Sequence, residues 1–148
     1  MKLGDILCRH CAVKLASASK EEVIRRLCEL LVQDGVGPEL DELYHSIMER
    51  EKIMSTGIGL GIGVPHVRHP KATRMAAAVA VLEQPIEYGS LDDQPVNIVV
   101  MIVSPAGTHR QYLKALAHIA LVLKNPTIRQ RLLQAENDSQ LYEILSQL

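Results

Sequence analysis

The segment that decides the fold is Ser55-Thr56-Gly57-Ile58-Gly59-Leu60-Gly61-Ile62-Gly63-Val64-Pro65-His66. Glycine occupies every second position from Gly57 to Gly63, which uses four of the nine glycines in this 148-residue chain. Side chains alternate between two faces in an extended backbone, so the segment predicts a bare face that lies close to another part of the protein. It ends on His66, a side chain that is mostly neutral near pH 7 and keeps a nucleophilic ring nitrogen. This combination predicts chemistry on an anion.

The spacing of these glycines excludes two common phosphate-binding motifs. A dinucleotide fingerprint requires Gly-x-Gly-x-x-Gly, and no third glycine stands at the required distance from Gly57 or Gly59. A nucleotide P-loop ends in Gly-Lys-Ser/Thr, whereas this segment ends in Val-Pro-His. Two interpretations remain open. Either the bare face packs beneath a neighbouring element and His66 lies in a turn, or the segment is an extended approach to a reactive histidine.

Composition restricts the class of protein. The chain has 16 Lys and Arg against 17 Asp and Glu, a net charge of -1, four Tyr and no Phe or Trp. It therefore lacks the basic and aromatic surface typical of nucleic-acid binding, and we expect no nucleic-acid partner. The longest apolar runs, Met75 to Leu82 and Ile98 to Val103, are far shorter than the roughly 20 residues that cross a bilayer. With no signal-peptide pattern, we expect a cytoplasmic protein without membrane insertion.

The cysteines predict neither a disulfide framework nor a metal site. Cys8, Cys11 and Cys28 are an odd number in a chain without an export signal, which favours reduced thiols. Cys8 and Cys11 have CxxC spacing, but a zinc site needs two further ligands and no second pair accompanies them. His69, three residues after His66, also lacks companion ligands. We therefore expect no metal and no cofactor.

Hydrophobic periodicity predicts helices towards both ends of the chain and strands in its middle. Ser19 to Glu22 has the form of a capping box, and the two apolar runs have the character of strands that are covered on both faces. The predicted elements are a strand over 11–15, helices over 20–33 and from Pro38 to near Lys52, strands over 75–82 and 96–103, and helices that start at Thr108, at Asn125-Pro126 and at Asn137-Asp138.

This order of elements predicts an α/β fold. We expect a single domain over residues 1–148, in which a central mixed β-sheet is flanked by helices on both faces. The sequence contains no internal repeat and no low-complexity linker that would divide it further.

The sequence resembles the enzyme IIA domains of the fructose/mannitol type in the bacterial phosphoenolpyruvate-dependent sugar phosphotransferase system. The resemblance covers nearly the whole chain, from about Leu15 to the C-terminus. The single-domain length is closest to the nitrogen-regulatory members of that family. The matching motifs, in order, are Arg50-Glu51, the glycine segment ending in Val64-Pro65-His66, Asp93-Gln94-Pro95-Val96, Ser104-Pro105-Ala106, and Thr108-His109 at the start of a long apolar helix.

The resemblance implies a role for each matching residue. It implies that His66 is the phosphoacceptor and that its Nε2 receives a phosphoryl group from a histidine-containing phosphocarrier protein. His109 corresponds to the second active-site histidine, at the start of a helix whose free N–H groups favour an anion. Arg50 matches the family's arginine, and its charge about 4 Å from a phosphoryl charge is worth roughly 4 kcal/mol at an effective dielectric constant of about 20. The further candidate phosphate-binding residues are Thr56, Gly61 and Gly63.

Two hypotheses about function follow. In the first, His66 passes its phosphate to a sugar-specific IIB protein, or its phosphorylation is a nitrogen or metabolic signal. The family commonly has Asn in place of Leu60, Ala in place of Gly63, and Gly in place of Val67. Because a β-branched Val67 adds bulk beside the histidine, the second hypothesis is a binding module without phosphotransfer that controls a transporter, kinase or transcription factor. The sugar and the oligomeric state, a homodimer included, stay open.

Overall fold

A mixed six-stranded β-sheet with α-helices packed around it forms the protein. The computed structural model describes all 148 residues. The predicted α/β class with a central mixed sheet is confirmed. No helix combines the length and apolar character that a membrane crossing requires. The elements are β1 (Leu7–Leu15), α1 (Lys20–Gln33), α2 (Leu40–Ile53), β2 (Gly57–Gly59), β3 (Ile62–Gly63), β4 (His66–His69), β5 (Ala76–Ile86), β6 (Val96–Pro105), α3 (His109–Leu123), α4 (Pro126–Gln134) and α5 (Asp138–Ser146), with one 3₁₀ turn at Leu3–Asp5.

The sheet is assembled around β6. This strand pairs antiparallel with β5 on one side and parallel with both β3 and β4 on the other. β1 adds to β5 in parallel, and β2 adds to β3 in antiparallel orientation, which gives the order β1-β5-β6-β3-β2 with β4 also beside β6. In this register His66 lies opposite Ile102 and Ile62 lies opposite Ile98.

The core lies in the middle of the sheet. Every residue of 76–82 is buried, and so is every residue of 96–104 except Asn97. A run of consecutive buried residues requires cover on both faces of a strand, which confirms the prediction from the two apolar runs. Helices α1 and α4 contact β5, and α5 contacts β1. In the absence of Phe and Trp, the core consists mainly of Leu, Ile, Val and Ala.

The helix boundaries follow the capping residues closely. Ser19 Oγ accepts a hydrogen bond from the Glu22 amide at 3.1 Å, and the Glu22 carboxylate accepts one from the Ser19 amide at 3.3 Å, so α1 begins as predicted. Asn125 and Asn137 cap α4 and α5 with side-chain oxygens that accept hydrogen bonds from the Thr127 and Gln140 amides. The prediction that Pro38 is the first residue of α2 is wrong, because Glu39 is an extended N-cap with ψ 157° and the helix begins after it.

Two of the three cysteines are bonded to each other. Cys8 and Cys11 form a disulfide, so the expectation of reduced thiols is wrong for this pair. A bulge in β1 between Leu7 and Ala12 brings the two Cα atoms to 5.2 Å, within the range that a disulfide spans. Cys28 is free and buried, and its burial raises the pKa of the thiol to about 12.

A matched pair of leucine substitutions tests the assignment of the core. Leu27 in α1 is fully buried, so Leu27→Ala is expected to lower the free energy of unfolding by about 2–5 kcal/mol through the cavity it leaves. Leu121 in α3 is 70% exposed, so the same change there is expected to stay within about 0.5 kcal/mol. Urea unfolding monitored by circular dichroism measures both. Equal losses in the two variants would contradict the core described above.

Candidate functional site

The glycine segment is a hairpin and not one continuous strand. β2 and β3 are antiparallel, and the two residues that connect them, Leu60 and Gly61, have φ angles of 60° and 78°. Positive φ at both central residues is the conformation of a type I′ turn, which matches the twist of a two-residue hairpin. The prediction of an extended approach to His66 is therefore wrong at this point, since the glycines permit a chain reversal that the alternation did not reveal.

The bare face of the hairpin is filled by the connection between β5 and β6. A Cβ atom added at Gly63 would lie 2.8 Å from Cζ of Tyr88, whose side chain is buried. This distance is too short for any larger residue without a shift of the ring, so the packing of Tyr88 favours glycine at position 63. The contacts pair Gly57 with Ser90, Gly59 with Asp92, Gly61 with Asn97 and Gly63 with Tyr88.

A buried carboxylate holds the start of the segment. Glu51, in the last turn of α2, is 7% exposed and accepts hydrogen bonds from the Thr56 amide at 3.1 Å and the Thr56 hydroxyl at 2.9 Å. It also forms an ion pair with Lys20 at 3.2 Å, and the Thr56 hydroxyl lies 3.0 Å from that of Tyr88. These contacts join α1, α2, the hairpin and the β5–β6 connection in one polar cluster.

His66 opens β4 with one ring nitrogen bonded and the other free. Its Nδ1 lies 2.6 Å from the carbonyl oxygen of Val64. A carbonyl only accepts, so Nδ1 carries the proton of the neutral ring and Nε2 keeps a lone pair. The Val64 amide donates to the Thr56 carbonyl at 3.0 Å, and the Pro65 carbonyl accepts from the Ile102 amide at 3.0 Å. The backbone on both sides of the ring is thus held in place.

The surroundings of His66 favour its neutral form. Burial lowers the pKa of His66 from its ordinary value of 6.5, because the charged ring loses solvation. The hydrogen bond to Val64 opposes this shift, and the charge of Arg50 adds to it. Near neutral pH the ring is therefore uncharged and nucleophilic at Nε2.

His66 lies in an open cleft of about 540 Å³ that carries two arginines. The His66 and Tyr112 ring centroids are 5.8 Å apart, and the rings are tilted by 56°. Cζ of Arg68 lies 5.7 Å from the centroid of the Tyr112 ring, and Arg50 donates to the Met54 carbonyl at 3.1 Å. The cleft is lined by Arg50, His66, Val67, Arg68, Ala106, Gly107 and Tyr112. Such a set of cations around a neutral imidazole suits a phosphoryl group.

The structure brings Arg50 and His66 together but places the other sequence candidates elsewhere. His109 is the first residue of α3, is exposed, makes no hydrogen bond or ion pair, and does not line the cleft. Thr56 is buried in the cluster around Glu51, while Gly63 faces Tyr88 of the β5–β6 connection and Gly61 faces Asn97 at the start of β6.

Sequence reasoning missed Arg68 and Tyr112 as residues of the cleft. Arg68 stands two positions after His66, and residues at that spacing in a strand share a face. Tyr112 stands one helical turn after His109, so the two residues lie on the same side of α3. The spacing from His66 was sufficient to find Arg68, whereas the choice between His109 and Tyr112 depended on which turn of α3 lies beside His66.

Val67 does not have the backbone conformation that only glycine adopts readily. It pairs with Val103 in the parallel ladder between β4 and β6, and its φ angle is not positive. Its side chain is half-buried and packs against the hydrophobic core at the edge of the cleft. Replacement of a glycine here therefore needs no rearrangement of the strand.

Comparisons with known proteins identify similar chains over nearly the full length. The family profile described as "Phosphoenolpyruvate-dependent sugar phosphotransferase system, EIIA 2" matches residues 7–148. The nitrogen regulatory protein of Klebsiella oxytoca is 33% identical over 149 residues, which covers 99% of this chain and 91% of that protein. The fructose-specific EIIABC component of Bacillus subtilis is 32% identical over 148 residues; the match covers 99% of this chain but 23% of that longer protein. The crystal structure of nitrogen regulatory protein IIA-Ntr from Neisseria meningitidis superposes with a TM-score of 0.88 at 24% identity, covering 97% of this chain and 98% of that one.

Removal of the buried charge at Glu51 is expected to destabilise the protein. Glu51→Gln leaves the Lys20 ammonium without its counter-ion and replaces one acceptor oxygen by a donor, which is expected to cost about 1–3 kcal/mol of unfolding free energy. Glu49→Gln is the matched control, because Glu49 forms an exposed pair with Lys52 on the same helix, and no measurable change is expected there. Urea unfolding at pH 7 measures both variants. Wild-type stability in Glu51→Gln would show that the cluster does not hold the hairpin.

Proposed function

The chain belongs to the EIIA type 2 family of the phosphoenolpyruvate-dependent sugar phosphotransferase system, and from this premise we propose that His66 carries the phosphoryl group. The family and the relatives support a phosphotransfer or regulatory role. The observation that carries the assignment to His66 is the state of its ring. Nδ1 is bonded to the Val64 carbonyl, and Nε2 is left free in a cleft that holds Arg50 and Arg68.

The transfer is a displacement at phosphorus. The lone pair of His66 Nε2 forms the new N–P bond as the P–N bond to the histidine of a phosphocarrier protein breaks. The electron pair of the broken bond stays on the carrier's ring nitrogen, so the carrier departs as a neutral imidazole whose other nitrogen keeps its proton. Onward transfer breaks this N–P bond: the phosphoryl group bonds to the nucleophile of the downstream acceptor, and the electron pair stays on Nε2 of His66. The chain needs no metal or cofactor of its own for this exchange.

Electrostatics supply most of the protein's contribution to the step. Charge is spread over the three equatorial oxygens of the phosphoryl group during transfer, and fixed cations stabilise it. Arg50 lies on α2 and Arg68 lies on β4, and both side chains line the cleft. They neutralise the negative charge that arrives with the phosphoryl group and stays after the carrier leaves.

The remaining sequence candidates have indirect roles in this proposal. Thr56 anchors the hairpin through Glu51, and Gly61 and Gly63 allow it to pack against the β5–β6 connection. These residues thereby fix the backbone that leads into His66. His109 is exposed at the start of α3, where it faces solvent and is available to a docked carrier.

The downstream partner is either a IIB component or a regulated protein. The EIIABC relative carries its A component in one chain with B and C components, which favours phosphotransfer to a IIB protein. The nitrogen regulatory relatives match over most of their length, which favours a regulatory output. We propose a cytoplasmic single domain that receives phosphate from a phosphocarrier.

The hypothesis of a binding module without phosphotransfer has less support. It rested on Val67, and this residue occupies a regular strand position with its side chain packed against the core. The cleft next to it stays open. We therefore prefer the phosphotransfer function.

Phosphorylation by purified components tests this function. Incubation with phosphoenolpyruvate, enzyme I and the phosphocarrier is expected to add one acid-labile phosphate, detected by intact-protein mass spectrometry at neutral pH. His66→Ala is expected to abolish the label, because no other group offers Nε2 to the cleft. His109→Ala, a change of the same type at an exposed histidine, is expected to retain it. An unlabelled wild-type protein, under conditions that label a related IIA domain, would refute phosphotransfer.

The titration of His66 provides a second test. Since its pKa is lowered in the folded protein, the ring is expected to titrate below pH 6.5 in long-range ¹H–¹⁵N correlation spectra. Between pH 6.5 and the lower folded value, the unfolded chain binds the proton more readily than the folded protein does. The free energy of unfolding is therefore expected to fall as the pH decreases below 6.5, and to fall less in His66→Gln. A ring that titrates above pH 6.5 would contradict the burial of the site.

A further inference from the structure

We propose that the Tyr112 hydroxyl donates a hydrogen bond to the phosphoryl group on His66 and is a catalytic residue of the transfer. This inference rests on the proposed function of His66. It adds a neutral donor to the two arginines, at a position on α3 one helical turn beyond the histidine that the sequence resemblance singled out.

The geometry places Tyr112 beside the acceptor ring. The centroids of the two rings are 5.8 Å apart, and both side chains line the same cleft. Cζ of Arg68 lies 5.7 Å from the centroid of the Tyr112 ring, so the phenol lies close to both the imidazole and a cation. His109 lines no part of this cleft.

The Tyr112 hydroxyl has no partner within the protein. The side chain makes no hydrogen bond, although the residue as a whole is only 7% exposed. Ser90 Oγ is the single side-chain polar atom that is both buried and unpartnered, so the Tyr112 hydroxyl must have access to the solvent of the cleft. A mostly buried tyrosine whose polar atom alone meets the cleft is suited to bind a polar ligand there.

The hydroxyl keeps its proton throughout the working range of pH. Burial raises the pKa of Tyr112 to about 12, and the nearby charges of Arg50 and Arg68 reduce this shift without cancelling it. Tyr112 is therefore a donor and not an anion that would repel phosphate. It transfers no proton in the reaction: its O–H bond stays intact while the phosphoryl group moves from the carrier's nitrogen to Nε2 of His66.

Tyr112→Phe isolates the contribution of the hydroxyl. The variant keeps the ring and removes a group that makes no hydrogen bond in the protein, so its thermal unfolding is expected to match that of the wild type. The rate of His66 phosphorylation by the phosphocarrier is expected to fall about 10- to 100-fold, the loss typical of one hydrogen bond to a charged group. Tyr142→Phe is the matched control, since Tyr142 on α5 also lies near an arginine, Arg9, and is outside the cleft.

Two further readouts separate hydrogen bonding from a structural effect. A donor to the phosphoryl dianion lowers the pKa of the bound phosphate, so ³¹P spectra of phosphorylated Tyr112→Phe are expected to show that pKa raised. Tyr112→His, which restores an N–H donor, is expected to recover part of the rate and to add a second titrating group to its pH profile.

The outcomes distinguish this inference from the proposed function. A wild-type protein that is phosphorylated on His66, together with a Tyr112→Phe rate within twofold of it, overturns the role of Tyr112 and leaves the function of His66 intact. A slower Tyr112→Phe with an unchanged phosphate pKa and no recovery in Tyr112→His also overturns it. A wild-type protein that takes no phosphate refutes both.

Discussion

The position of His66 depends on β6, because one edge of this strand pairs with two short parallel strands, first β3 and then β4. β3 uses the stretch near Ile98 and β4 the stretch near Ile102, and the chain passes from one to the other through Val64 and Pro65. Because β3 and β4 share one partner strand, the connection between them through Val64 and Pro65 is held at each end by backbone hydrogen bonds to β6. A slip of β4 by one residue would turn His66 to the opposite face of the sheet. The reactive nitrogen is thus positioned by the backbone pairing of β4 with the buried strand β6.

The hairpin of β2 and β3, which precedes this connection, is held by a different kind of interaction. Its inner face carries glycines in contact with the β5–β6 connection, and its first residues are held by the carboxylate of Glu51. Apolar burial therefore determines where the sheet lies, whereas polar contacts determine how the segment enters the site. Unpaired buried polar groups are costly, so such a cluster has few alternative arrangements. This suits a segment that must present one ring nitrogen in a defined direction.

The sequence predicted the elements that carry strong periodicity or caps, and it failed where tertiary contacts decide. α1 follows from the capping box at Ser19, and the β5 and β6 cores follow from their apolar runs. The hairpin at Leu60 was missed because its turn requires positive φ at a residue that rarely adopts it. The disulfide between Cys8 and Cys11 depends on a bulge that has no local signal in the sequence. Arg50 and His66 were placed in the site by resemblance, but the inward-facing residue of α3 depends on how that helix packs.

The protonation states of the side chains in the cleft determine the charge around the phosphoryl group. His66 is kept neutral by burial, Tyr112 holds its proton up to a pH of about 12, and the arginines stay charged throughout. From slightly acidic to moderately alkaline conditions, no side chain around the phosphoryl group changes its charge. In the proposed function, the group that titrates in this range is therefore the phosphoryl group itself, while the charges that the protein places around it stay constant.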